Sequence, residues 1–308
     1  MRRLVVAAII IAGIRGLAAQ SAGRVMVPDL EGVWNFSTLT PLERPAQLGD
    51  KASFTAAEAA AFLQDTIDRN NRDRRDGGAQ VDVARAVNDD WFDRGTALAR
   101  IDGQIRTSLI VNPSNGQLPA LTAAARDRLA AQTVDTRAHP ADGPENRSLQ
   151  ERCLAFNAGP PILPGPYNNF LQIFQFPDHV VLFTEMIHDA RIVPLGAAAP
   201  ARAAAARWMG EPRGRYEGDT LVVESTNFNG VNSVRGSDTQ LRLIERLTRV
   251  DADTLRYEFT VDNPTAFTAT WTAVLPMKRT SDRLFEYGCH EGNYALMNIL
   301  RGARAQER

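Results

Sequence analysis

The sequence has no excess of basic side chains: 35 Lys and Arg stand against 36 Asp and Glu. A nucleic-acid groove usually needs such an excess, so nucleic acid is not an expected partner. Histidine is scarce, at positions 139, 179, 188 and 290, and none of the four has the HExxH spacing by which a helix presents a metal. Cysteine is scarcer, with Cys153 and Cys289 only and no CxxC pair. A thiolate metal centre is therefore not expected. The chain also lacks a Gly-x-Ser-x-Gly elbow, a P-loop and a Gly-x-Gly-x-x-Gly run. Those absences argue against serine-hydrolase chemistry and nucleotide cofactors, and no cofactor is expected. After residue 14 no apolar run is long enough to span a bilayer as a helix.

What is present begins with an export pattern, "MRRLVVAAIIIAGIRGLAAQSAG". Arg2 and Arg3 form a positive start, Leu4 to Ile14 a short apolar run, and small residues follow near Ala19 and Ala22. This reads as a signal peptide over residues 1–22 and places the mature chain in the periplasm or outside the cell. The competing reading is a buried N-terminal helix. No cysteine follows the run, so no membrane anchor is expected after cleavage. In an oxidising compartment Cys153 and Cys289 are a candidate disulfide tying the middle of the chain to its C-terminal part. The rival reading is two free buried thiols.

Residues 23–308 read as one domain. Two helical insertions are expected, near 55–75 and 122–131. Thr55 and Glu58 fit a capping box ahead of an apolar stripe, and Thr122 suits an N-cap. From about residue 165 the pattern turns to strands. Seven strand-like segments follow, from "YNNFLQIFQF" to "LFEYGCHEG", most of them separated by polar turns. That pattern predicts a mainly β fold, an antiparallel meander. A meander leaves edge strands, and closure into a barrel satisfies them. "GVWNF", with Trp34, resembles the first strand of lipocalin-like barrels, where the tryptophan plugs one end.

Longer stretches resemble an uncharacterised family of exported bacterial proteins. They are "SLIVNPSNGQLPALT" (108–122), "ERC" (151–153), "YNNFLQIFQ" (167–175), "EMIHDARIVPL" (185–195), "WMGEPRGRYEGDTLVVESTNFN" (208–229), "LIERLTRVDADTLRYEFTVDNP" (243–264) and "EYGCHEGNYALMNIL" (286–300). Together they cover most of the mature chain. The resemblance implies export and a lipocalin-like β-barrel, to which the helical patterns add a small helical N-terminal portion. It implies no particular reaction.

Three stretches carry candidate chemistry. In "EMIHDARIVPL", Glu185, His188 and Arg191 place an acid, a titratable ring and a cation within seven positions. His188 is a candidate acid or base, and Arg191 a candidate anchor for an anionic substrate group. A strand running straight through would point these two apart, whereas a turn at His188 and Asp189 would reset the register. The alternative is a structural turn, with Arg191 paired to Glu185. In "CHEGNY", His290 and Glu291 are candidates for the second proton transfer. The competing reading there is a solvated loop. In "GPYNNFLQ", Tyr167, Asn168 and Asn169 could orient a ligand, with Trp34 lining the same interior. They could equally form a turn after Pro166.

Two functions fit these residues. One is a cofactor-independent enzyme doing proton-transfer chemistry, of lyase, hydratase or isomerase type, on a small organic molecule in a barrel lumen. The other is a non-enzymatic binding protein for a small apolar ligand.

Overall fold

The computed structural model describes residues 27–85, 89–157, 159–196, 205–231, 234 and 236–307. The expected signal peptide, residues 1–22, lies outside them.

Early in the chain the short hairpin of β3 (Arg100–Ile101) and β4 (Gln104–Arg106) is joined by β2 (Ser53–Phe54) from before α1, giving a three-stranded sheet in the order β2-β4-β3. All other strands belong to one large antiparallel sheet. They are β1 (Gly32–Asn35), β5 (Ile110–Asn112), β6 (Phe170–Gln175), β7 (His179–Thr184), β8 (Ala190–Pro194), β9 (Glu211–Glu217), β10 (Thr220–Thr226), β11 (Arg242–Arg249), β12 (Thr254–Asp262) and β13 (Trp271–Thr280). The order is β8-β7-β6-β1-β13-β12-β11-β10-β9, with β5 added to β13. Six of the seven predicted strand segments are therefore strands of this sheet.

Alternation explains why. In β12, Leu255, Tyr257, Phe259 and Val261 are buried while the intervening residues are not. The same period-2 pattern runs through β6, β7, β8 and β11. The β9–β10 hairpin turns at Gly218 with φ of 58°, the left-handed conformation that glycine tolerates best. β1 pairs with both β6 and β13 and so joins the two halves of the sheet. Its Trp34 is fully buried, and the indole N–H donates to Leu30 O at 3.0 Å.

The ladder is not continuous all the way round. β8 and β9 end the path, so no closed barrel is formed among the described residues, where a parallel bridge from Leu195 to Gly214 is the pairing between these two ends. Gly214 makes that approach possible. A Cβ there would lie 2.8 Å from Val193 Cγ1 and 2.9 Å from Leu195 Cδ2.

Four α-helices are found among the described residues, more than a small N-terminal portion. α1 (Ala56–Asn70) starts at the expected capping box, with Thr55 and Glu58 bonded reciprocally, and stops short of 75 because Asn71 is already extended. α2 (Ala79–Ala84) follows beyond the expected helical insertion, in a stretch for which no helix is expected. α3 (Ala123–Ala138) is capped by Thr122 and runs past 131, since no glycine or proline intervenes before Pro140. α4 (Tyr294–Gln306) was not expected; Asn293 caps it, and its side chain accepts from Leu296 N. The segment "LFEYGCHEG", read from sequence as a strand, is an irregular strap ahead of α4. Among the described residues no helix is long and apolar enough to cross a membrane.

Candidate functional site

β7 and β8 are joined by the 3-10 turn Met186–His188, in which Ile187 (φ 62°) and His188 (φ 44°) both take left-handed backbone conformations. A β-branched residue at positive φ is an outlier that its surroundings must hold in place. The turn resets the register as one of the sequence readings allowed. It does not bring His188 and Arg191 together: His188 is exposed, while Arg191 points inward and is buried.

Arg191 donates through Nη1 and Nη2 to the two carboxylate oxygens of Glu245, both at 2.8 Å. Tyr257 donates its hydroxyl to Glu245 Oε1 at 2.7 Å and accepts the backbone N–H of Ile162 at 3.0 Å. Glu245 and Tyr257 are wholly shielded from solvent. Burial opposes the charge on Arg191, but the field and hydrogen bonds of Glu245 outweigh it and hold the guanidinium protonated. Burial drives the Tyr257 hydroxyl far above its ordinary value, so it remains a donor. The alternative pairing of Arg191 with Glu185 does not form. Both Glu245 and Tyr257 were legible as members of an inward face: Glu245 shares parity with Leu243 and Leu247, and Tyr257 with Leu255 and Phe259.

At the mouth of this triad lies a cavity of about 10 Å³, lined by Pro160, Ile162, Thr184, Asp189, Arg191 and Met209 among others. That is room for one water, not for an organic molecule. The half-buried Asp189 is pushed up to about 6 by burial, with His188 opposing the shift. Its carboxylate makes no hydrogen bond or ion pair among the described residues.

The other expected site residues gather elsewhere. His188 Nδ1 lies 2.9 Å from the carbonyl oxygen of Tyr287 in the strap. The buried Glu185 accepts the backbone N–H of Phe285 at 2.8 Å and a side-chain bond from Asn168. Burial raises its pKa above the ordinary carboxylate value, against those two bonds. Tyr167 stacks on Tyr287, ring centroids 6.5 Å apart, and burial followed by the Tyr167 neighbour pushes the Tyr287 phenol up to about 12. Cys153 and Cys289 form a disulfide, which closes the same region covalently. Glu185, His188, Tyr167 and Asn168 thus form a clasp around residues 285–289. Cys153, Asn168, Ile187 and His188 all have positive φ, so the clasp is also where backbone strain collects.

Asn169 is not part of it. Its buried amide bonds Gly165 N and O and Asp93 O, stapling a loop. His290 and Glu291 are exposed beyond the disulfide, and His290 has no side-chain contact with His188 among the described residues. Trp34 fills the core and is not part of the lining of the small cavity beside Arg191.

Two surface grooves of ligand size adjoin the clasp. One, of about 600 Å³, runs between the strap and α4 and includes Gln150, Tyr287, Glu291, Leu296 and Ile299. The other, of about 380 Å³, includes Leu149, Gln150, Phe156, Leu163 and Pro164. They share Gln150. Among the described residues no three His, Cys, Asp or Glu side chains are grouped as metal ligands. Neither a protein-family model nor a curated protein matches the chain.

Proposed function

We propose that this chain is an exported binding protein for a small, largely apolar molecule, held in the paired grooves that meet at Gln150. The observation that carries this reading is the contrast in space. The interior cavity holds about 10 Å³, whereas the adjoining grooves offer about 600 and 380 Å³. Their linings set Leu149, Phe156, Leu163, Leu296 and Ile299 beside the polar Gln150, Glu291 and Asn293, and apolar walls with placed polar groups are the usual make-up of such sites. On this reading the sheet is a lipocalin-like barrel, drawn together at β8 and β9 by the Gly214 approach, and its interior is packed for stability. Binding moves to the outside, beside the clasp. Export by residues 1–22 is supported by the formed disulfide, which persists in oxidising compartments. It agrees with the family of exported proteins that the chain resembles.

The test is titration with the neutral apolar dye N-phenyl-1-naphthylamine. Leu149→Asp places a charge on the groove floor and should abolish the fluorescence gain while leaving the circular dichroism spectrum unchanged. Equal dye binding by both proteins would refute the reading.

A second reading, a cofactor-independent lyase or isomerase, rests on Asp189. A carboxyl pushed up to about 6 by burial, lining the same small cavity as Arg191, is equipped for proton transfer near neutral pH. Residues 160–163 would have to swing out to admit a substrate. Turnover of any small carbonyl or hydroxy acid that survives in Asp189→Asn would exclude this reading.

A further inference from the structure

Arg191 and Arg44 are both buried arginines, and among the described residues Arg191 alone of the two has a counter-charge. Arg44 is 2% exposed. Its Nε donates to Thr107 Oγ1 at 3.1 Å, Nη1 to Gly49 O at 3.3 Å and Nη2 to Ser114 O at 3.0 Å. All three acceptors are neutral, and no carboxylate pairs with this side chain among the described residues. Next to Thr107, at the end of β4, stands Arg106. Its Nε is buried without an acceptor, and the rest of its guanidinium makes no hydrogen bond or ion pair among the described residues. Nearby charges are already committed. Asp102 is held by Arg256 at 2.9 Å, and Lys51 is paired with Glu58. Burial and then the field of Arg44 both depress the Arg106 pKa, with Asp102 a weaker opposing influence.

Two guanidiniums in a partly desolvated place without an anion are an unbalanced arrangement, because buried charge is ordinarily neutralised. Arg106 is only half-buried, so a solute can reach it. A planar guanidinium fork is matched to the two oxygens of a carboxylate or phosphate. We propose that Arg106, backed by Arg44, binds a small oxyanion bearing a carboxylate or phosphate group. Arg44 supplies field and Arg106 supplies the open donors. The bound anion would brace the β2-β4-β3 sheet against the 107–116 segment that carries β5.

The experiment is thermal unfolding of the full chain at pH 7 in sodium phosphate, sodium acetate or sodium chloride at matched ionic strength. The proposal expects a saturable rise in Tm with phosphate or acetate over chloride, as for any ligand that binds the native state alone. The better of the two anions identifies the source. Arg106→Gln should unfold at a higher temperature than wild type in chloride, since it relieves the repulsion, and should lose the saturable gain. A merely structural Arg106 would instead lower Tm in every salt. Arg106→Lys keeps the charge but not the fork and should bind at least tenfold more weakly by calorimetric titration. The proposal is overturned if wild type shows only the linear, non-saturating response of excluded salts. An unchanged anion affinity in Arg106→Lys or Arg106→Gln overturns it equally.

Discussion

Arg191 and Glu245 meet across the interior of the sheet as a two-point pair, each guanidinium terminus on its own carboxylate oxygen at 2.8 Å. Neither can be removed alone without stranding the other's charge in a place water does not reach. Glu245→Gln or Arg191→Met should each destabilise the fold by about 3–5 kcal/mol. The double change to apolar residues of matched volume should recover most of that loss. Urea denaturation of the single and double variants measures the coupling. A single variant at wild-type stability would show that the pair is not what holds β8 against β11.

The disulfide joins residues 136 apart in sequence. Closing so long a loop restricts the unfolded chain, and replacing both cysteines by serine should cost about 3–5 kcal/mol. Hydrogen exchange should also rise over residues 285–293, because the strap keeps only side-chain and backbone bonds. Alkylation of the native wild-type protein should label no thiol.

Asp189 gives stability a pH dependence of definite sign. Its folded pKa, about 6, lies above the ordinary aspartate value of about 3.9, so between those values the native state binds more protons than the unfolded one. Stability therefore falls as pH rises from about 4 to about 6 and then levels off. With allowance for solvent screening, the loss is about 1–2 kcal/mol. The raised Glu185 acts in the same direction. Asp189→Asn should remove its share of the slope and be more stable than wild type at pH 7. Denaturation midpoints at pH 4, 5, 6 and 7 test this, and identical slopes in the two proteins would contradict it.

His188 holds the strap through one bond to the Tyr287 carbonyl. His188→Ala should lose about 0.5–1.5 kcal/mol, and the loss should appear as faster exchange at 285–289. Dye binding in the groove beside Tyr287 should weaken along with it. His188→Asn, which tolerates left-handed backbone and can still donate, should recover part of both effects.

Local rules were enough to read the strands after residue 165, apart from the strap, together with the α1 and α3 caps and the inward faces. Side-chain alternation, turn residues and capping pairs act within a few positions, so "LRYEF" and "EGDT" carry their own structure. The α4 stripe of Leu296, Leu300 and Ala303 was equally local. It adjoins a segment whose pattern resembles a strand. The pairing of cysteines was one of two readings that composition left open, and the tertiary structure closed the distance between them. Other matters had no local signature at all. Which carboxylate meets Arg191 depends on β8 facing β11 across the interior, 54 residues away. Whether His188 looks into the core or out to the strap depends on two left-handed residues in a three-residue turn. Whether the interior is empty depends on residues 160–163 entering it, because a chain segment from outside the sheet can fill a space that strand patterns alone leave undefined.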